Sequence, residues 1–269
     1  MIGLGSKGPG GITLDARKAL GDATVVIGYK LYLEQAGPFL RPDARRESSG
    51  MTRETKRAED AIEMALKGEK VAVVSGGDPG IYAMSGVVFE VAAAKKIPLG
   101  EGKGELSIKV IPGTPALTAA SSILGAPITH DFCAISLSDR LTDWELIKKR
   151  LSLASRGDFV IVVYNPRSRG RDWQLGEAMA ILLEKLDPDT PVGLASRCGR
   201  KGEKGRIVTL GTLKIEEVDM QTLVIIGNST TFVWSGHMIT PRGYVKKYGS
   251  GERVPDEGEG FENEDGEES

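Results

Sequence analysis

The run Phe159-Val-Ile-Val-Val-Tyr164 constrains the chain most, because no polar residue interrupts it. A strand with one wet face alternates apolar with polar side chains, so this one must be covered on both faces, as in a sheet sandwiched by helices. Val25–Tyr29, Val71–Ser75, Ile108–Ile111, Pro191–Ser196, Ile207–Leu210 and Thr222–Gly227 read as further strands, several equally free of alternation. Segments with helical spacing separate them. In Thr52–Lys67, Thr52 is placed to cap, Ala58, Ile62, Ala65 and Leu66 form one stripe, and Gly68 stops the helix. Ser85–Lys96, Pro115–Leu124, Thr142–Leu153 and Asp172–Leu186 read the same way. The expectation is an α/β protein with parallel sheets. Pro112-Gly113 and Gly125-Ala126-Pro127 offer a break, which divides the chain into an α/β unit over 1–113, a second over 114–245, and a cleft between them.

Residues 246–269 stand apart. From 251 onward nine acidic side chains face Arg253 alone, and such a Gly- and Glu-rich segment is expected to be disordered, since it cannot bury enough apolar surface to offset its ordering entropy. The whole chain carries a net charge of -2, so the remainder is basic, as suits an anionic ligand. A solvated surface with no ligand explains the same surplus. There is no membrane-length apolar run and no leader sequence, which leads to a cytoplasmic expectation. Cys133 and Cys198 have no C-x-x-C spacing, and with His130 and His237 they would form a zinc site only from scattered loops; no metal is expected. The chain lacks a broad basic stripe with interleaved aromatics, so nucleic acid is not an expected partner.

Four glycine-containing turns carry the chemistry. "GLGSKGPGG" at 3–11 matches the spacing of a dinucleotide fingerprint, but only Met1 and Ile2 precede it and Pro9-Gly10-Gly11 delay the helix to about Thr13. It reads better as a backbone turn after a short first strand. "VAVVSGGDPGIYAMSG" at 71–86 runs a buried strand into Gly76-Gly77-Asp78, a place where a ligand can approach backbone and a carboxylate together; a tight turn in which Asp78 only caps the next helix is the competing reading. "VIPGTPALTAASSILGAP" at 110–127 repeats the strand-to-glycine-to-helix design with small residues, which serve close packing or a second ligand wall. In "FVIVVYNPRSRGRDWQ" at 159–174, Arg167, Arg169 and Arg171 offer guanidinium forks to carboxylates or phosphates.

Taken together, "GLG", "VVIGYKLYL" (25–33), "VVSGGDPGIYAMSG" (73–86), "HDFCAISLSDRLTDWELI" (130–147), "VVYNPRSRGRDWQL" (162–175), "VDMQTLVIIGNSTT" (218–231) and "TPRGY" (240–244) closely resemble the tetrapyrrole methylases, and within them the precorrin-3B C17-methyltransferases. The resemblance covers nearly all of residues 1–245. It implies two α/β domains with an interdomain cleft, a homodimer, and S-adenosylmethionine in that cleft. It places cofactor contacts at Gly76, Gly77, Asp78, Ile81 and Tyr82, at Thr114, Pro115 and Ala116, and at Tyr164, Asn165, Cys198, Gly199 and Thr222. The implied reaction moves a methyl group to C17 of a poly-carboxylate macrocycle while C20 is extruded. Arg167, Arg169, Arg171 and Arg242 are candidate partners of the substrate carboxylates, and His130, Asp131 and Asp139 are candidate acids or bases. Whether the substrate carries cobalt is left open, as are two alternatives: another tetrapyrrole C-methyltransferase, and a nucleotide-binding regulatory module. Pro112-Gly113-Thr114-Pro115 departs from the family's usual P-G-V-T, and Gly8 stands where many relatives carry aspartate.

Overall fold

The computed structural model describes residues 1–48, 50, 53–168 and 170–250. The tail from 251, Arg169 and the expected cap Thr52 lie outside them. The first half runs β1 (Ile2–Gly3), α1 (Leu14–Asp22), β2 (Val25–Gly28), α2 (Lys30–Ala36), β3 (Arg45–Ser48), α3 (Glu54–Leu66), β4 (Val71–Ser75) and α4 (Met84–Ala94). The second runs α5 (Ala116–Leu124), β5 (Gly125–Ala126), β6 (Phe132–Ser136), α6 (Trp144–Arg156), β7 (Val160–Tyr164), α7 (Gln174–Leu183), β8 (Pro191–Ser196), β9 (Lys204–Thr209) and β10 (Thr222–Ile226). The hairpin β11 (Phe232–Trp234) and β12 (His237–Ile239) and a short α8 (Tyr244–Tyr248) follow.

The first sheet has the order β1-β4-β2-β3, and every pair in it is parallel. Its strands feed two cores. Val26, Ala72 and Val74 meet Ala16, Leu20, Leu33 and Ala36 on one face, while Val25, Ile27 and Val73 meet Ala58, Ala61, Ile62, Val88 and Val91 on the other. That two-sided burial is why β2 and β4 read as unbroken apolar runs. Helix α1 starts where Thr13 accepts a hydrogen bond from the Ala16 amide at 3.2 Å, so the expected delay of the helix to about Thr13 is observed.

The second sheet corrects the parallel expectation. Its order is β6-β7-β10-β8-β9, and only β6 and β7 run parallel; β10 is antiparallel to both β7 and β8, and β9 is antiparallel to β8. An apolar run reports burial on both faces and is silent on direction. Here Val224 and Ile226 pack with Ile147, Leu151 and Leu182 on one face, and Leu223 and Ile225 with Leu117, Leu124 and Met238 on the other. A second correction concerns Ile108–Ile111, which forms no strand; Ile111 alone pairs with Ile2 in an isolated parallel bridge. In a third small sheet, β12 lies between β11 and β5.

Candidate active site

All strands of the first sheet point their carboxyl ends the same way, so the turns after β1 and β4 meet at one edge. Gly3, Gly77 and Gly113 come together there with no room for a side chain: a Cβ on Gly113 would lie 2.3 Å from the Gly77 carbonyl oxygen and 2.8 Å from the Gly3 carbonyl. The Gly5 amide donates to Gly77 O and the Ser6 amide to Thr114 O, both at 3.0 Å. The 3–11 turn is therefore a backbone junction, and its short helical turn, Gly8–Gly11, is of the 3-10 type.

The second half closes against the same edge. Lys7 Nζ donates to Ser122 Oγ at 2.9 Å, Tyr82 Oη donates to Ala134 O at 2.9 Å, and Ile81 packs into the Leu117–Met238 core. Between the halves opens a cavity of about 180 Å³. Ser6, Tyr32, Gly76, Gly77, Asp78 and Ile81 line it from one side, and Pro115, Ala116, Tyr164 and Arg200 from the other. A larger cavity of about 760 Å³ lies by Met1, Val71–Val73 and Ile108–Lys109, at the amino-terminal end of β4. Ligands of open α/β sheets sit beyond the carboxyl ends, so the smaller cavity is the candidate site.

Asp78 does not cap the next helix, since α4 begins after Ala83 with no side-chain cap. Its Oδ1 accepts from the Gly80 amide at 2.8 Å and its Oδ2 from the Gly113 amide at 3.2 Å, so the carboxylate braces two ligand-facing turns while bordering the cavity. Tyr164 Oη accepts from the Leu117 amide at 3.2 Å, and its ring lies 5.1 Å from that of Tyr82. Burial raises the pKa of both phenols, which keeps them protonated at neutral pH. Asn165 adopts φ 51° and donates from Nδ2 to Ser136 Oγ at 2.9 Å; Tyr82 and Arg197 also have positive φ, at 49° and 53°.

Of the expected cofactor residues, Gly76, Gly77, Asp78, Ile81, Pro115, Ala116 and Tyr164 form the cavity wall. The Tyr82 ring meets that of Tyr164 at a tilt of 54°, and the Thr114 carbonyl accepts from the Ser6 amide. Thr222 is buried, bonded to Ser196 Oγ at 2.8 Å and Asp219 Oδ1 at 2.7 Å, and it supports the turn 197–200 from behind. Gly199 packs against the 3–11 turn, its Cβ position 2.2 Å from Ser6 O. Burial pushes the Cys133 thiol up to about 11 and raises Cys198 as well, so neither is a ready thiolate.

The proposed acids and arginines separate. Asp139 accepts from Gln174 Nε2 at 3.0 Å, beside Arg171, whose Nη1 donates to Leu137 O at 3.2 Å and whose buried Nε finds no hydrogen-bond partner among the described residues. Burial lowers the Arg171 pKa, opposed by Asp139. Arg167 turns to Ile215 O at 3.3 Å, so part of its fork is committed to the protein, while Arg242 is exposed and Arg169 is outside the described residues. His130 and Asp131 precede β6 and so lie a strand length, about 16 Å at 3.3 Å per residue, from its cavity-side end at Ser136. The structure thus does not bring those two together with Asp139 or with the cavity. Sequence reasoning missed Ser6, Tyr32 and Arg200. Ser6 follows from the junction role of the 3–11 turn, whereas Tyr32 and Arg200 arrive only through topology.

The chain belongs to the Tetrapyrrole (Corrin/Porphyrin) Methylases, whose family model matches residues 1–214. Among individual proteins it is similar to the probable cobalt-factor III C(17)-methyltransferase of Salmonella typhimurium, 46% identical over 245 residues, which cover 91% of this chain and 98% of that one. It is also similar to the precorrin-3B C(17)-methyltransferase of a Sinorhizobium species, at 41% identity over 86% of this chain and 89% of the relative. The crystal structure of the methyltransferase CobJ superposes with a TM-score of 0.83 at 36% identity, covering 89% of this chain and 98% of CobJ.

Proposed function

We propose that this protein catalyses S-adenosylmethionine-dependent C-methylation of precorrin-3B, or its cobalt-bearing counterpart cobalt-precorrin-3, at C17 with ring contraction, in cobalamin biosynthesis. The carrying observation is the cavity at the junction of the halves, where the Gly76-Gly77 backbone, the braced Asp78 and the start of α5 converge with Tyr164. The residues fit the cofactor. Glycine at 76 leaves the Tyr32 ring edge in place, since a Cβ there would lie 2.7 Å from Tyr32 Cε1, and Asp78 supplies an acceptor for a hydroxyl or ammonium group. When bound, the cofactor supplies a methyl group on a sulfonium centre.

The chain's own residues then act by alignment and desolvation. The walls of Ile81, Pro115 and Tyr164 exclude water, and Asp78 fixes the 76–80 turn against 112–114. Beyond the cavity, Arg171 and Arg242 offer charge to the macrocycle's carboxylates, as does Arg167 with the part of its fork not committed to Ile215 O; Arg169 joins them by its place in the sequence alone. Asp139 is the preferred acid or base because Gln174 holds it near Arg171.

The same reading takes 1–113 and 114–245 as domains and places the enzyme in the cytoplasm; among the described residues no helix is long and apolar enough to cross a membrane. It also includes a homodimer, supported by Phe232, Val233 and Trp234, which are exposed on the edge strand β11. Calorimetry with S-adenosylhomocysteine tests the site. Binding that is weakened at least tenfold by Asp78→Ala supports it, and a wild-type chain that binds nothing overturns it.

A further inference from the structure

The cavity rim carries a cation that forms no salt bridge among the described residues. Arg200 lines the cavity, and among the described residues no carboxylate forms a salt bridge with it. The carboxylates of the neighbouring turns hold backbone amides instead. Glu203 accepts from the Gly199 amide, and Asp78 accepts from the Gly80 and Gly113 amides. The turn that presents Arg200 is fixed on both sides. The Arg200 amide donates to Arg197 O at 2.9 Å, the Glu203 amide donates to Arg200 O at 3.0 Å, and Gly199, at φ 70°, abuts Ser6 O and Lys7 Cα so closely that only glycine fits. Lys7 reaches the same junction, where it donates to the neutral Ser122 hydroxyl. An exposed guanidinium on a fixed backbone turn, opening onto a cavity and free of salt bridges among the described residues, is suited to bidentate capture of a carboxylate.

We propose that Arg200 is the carboxylate-binding residue of this cavity, with Lys7 adding to the positive field beside it. The inference rests on the methyltransferase reading, which supplies two carboxylate sources: the amino-acid end of the cofactor and the acid side chains of the macrocycle. Binding of S-adenosylhomocysteine and of 5′-methylthioadenosine, which keeps the nucleoside and thioether but lacks the amino-acid end, separates them. The full chain is compared with Arg200→Gln, Arg200→Lys and, as a general charge control, the exposed Lys103→Gln.

If the cofactor's carboxylate is the ligand, Arg200→Gln weakens S-adenosylhomocysteine at least tenfold and leaves methylthioadenosine unchanged. If the macrocycle's carboxylate is the ligand, both nucleosides bind as before and the loss falls on KM for the tetrapyrrole. In either case Arg200→Lys recovers part of the loss and Lys103→Gln shows none. Equal weakening of both nucleosides in Arg200→Gln, or wild-type values throughout, overturns the proposal while leaving the methyltransferase reading intact. A wild-type chain that binds neither nucleoside overturns both.

Discussion

Replacing Gly113 with alanine tests whether three loop backbones are pressed together at the junction. The added methyl would meet Gly77 O at 2.3 Å and the Gly3 carbonyl carbon and oxygen at 2.8 Å, and none of these atoms belongs to a side chain that can rotate away. Overpacking in a close-packed region costs about 1–3 kcal/mol, and three rigid contacts put this site near the upper figure, ~3 kcal/mol. At roughly 2–4 °C per kcal/mol for a chain of this size, Tm should fall by about 6–12 °C. Because the Gly113 amide also holds Asp78 Oδ2, affinity for S-adenosylhomocysteine should fall with it. Gly10→Ala is the matched control, since a Cβ there meets nothing within 4 Å. Thermal unfolding followed by circular dichroism reads both variants. A Gly113→Ala protein melting within a degree of wild type would refute the reasoning that the turns are in contact.

Further outcomes follow from other parts of the structure. Asn228 is buried, accepts from Thr230 and Thr231, and donates to Asp158 O at 3.1 Å, so Asn228→Ala should cost about 3 kcal/mol in chemical denaturation without changing nucleoside affinity per folded molecule. Thr13→Ala removes the cap of α1 and should cost about 1 kcal/mol by the same assay, while Thr13→Ser should restore it. The Cys133 thiol has its pKa raised from 9.0 to about 11 in the folded protein, so the unfolded chain loses this proton first and the contribution to stability falls as pH rises across that interval. Denaturation curves at pH 8 and pH 10.5 should show that slope in wild type and a smaller one in Cys133→Ala.

Much of this was legible from sequence because burial leaves a compositional mark. Val71–Ser75 and Pro191–Ser196 have the expected boundaries, and the Gly76-Gly77-Asp78 turn stands where the strand-to-turn pattern placed it. The misses share a cause. Strand β3, Arg-Arg-Glu-Ser, is an edge strand with mostly exposed side chains, so it carries no apolar signature. The antiparallel β10 looks like its parallel neighbours because both of its faces are covered. His130, Asp131 and Asp139 share one sequence stretch, yet β6 runs between them and carries the first two to its far end. Arg200 and Tyr32 are far apart in sequence and meet at one cavity only because the 3–11 turn packs against the turn at 199. Two threonines of the quoted motifs G-N-S-T-T and T-P-R-G-Y serve packing: Thr240 is fully buried and bonds Pro127 O at 2.7 Å and Thr231 Oγ1 at 2.8 Å.

The most direct measurement of the central claim is transfer of an isotopically labelled methyl group. The purified protein is incubated with methyl-labelled S-adenosylmethionine and either metal-free or cobalt-bearing precorrin-3-type substrate, and the product is located by NMR and mass spectrometry. The account predicts one labelled methyl on C17 of a ring-contracted product with at least one of the two substrates. Label on any other carbon, or no transfer to either substrate, would contradict it.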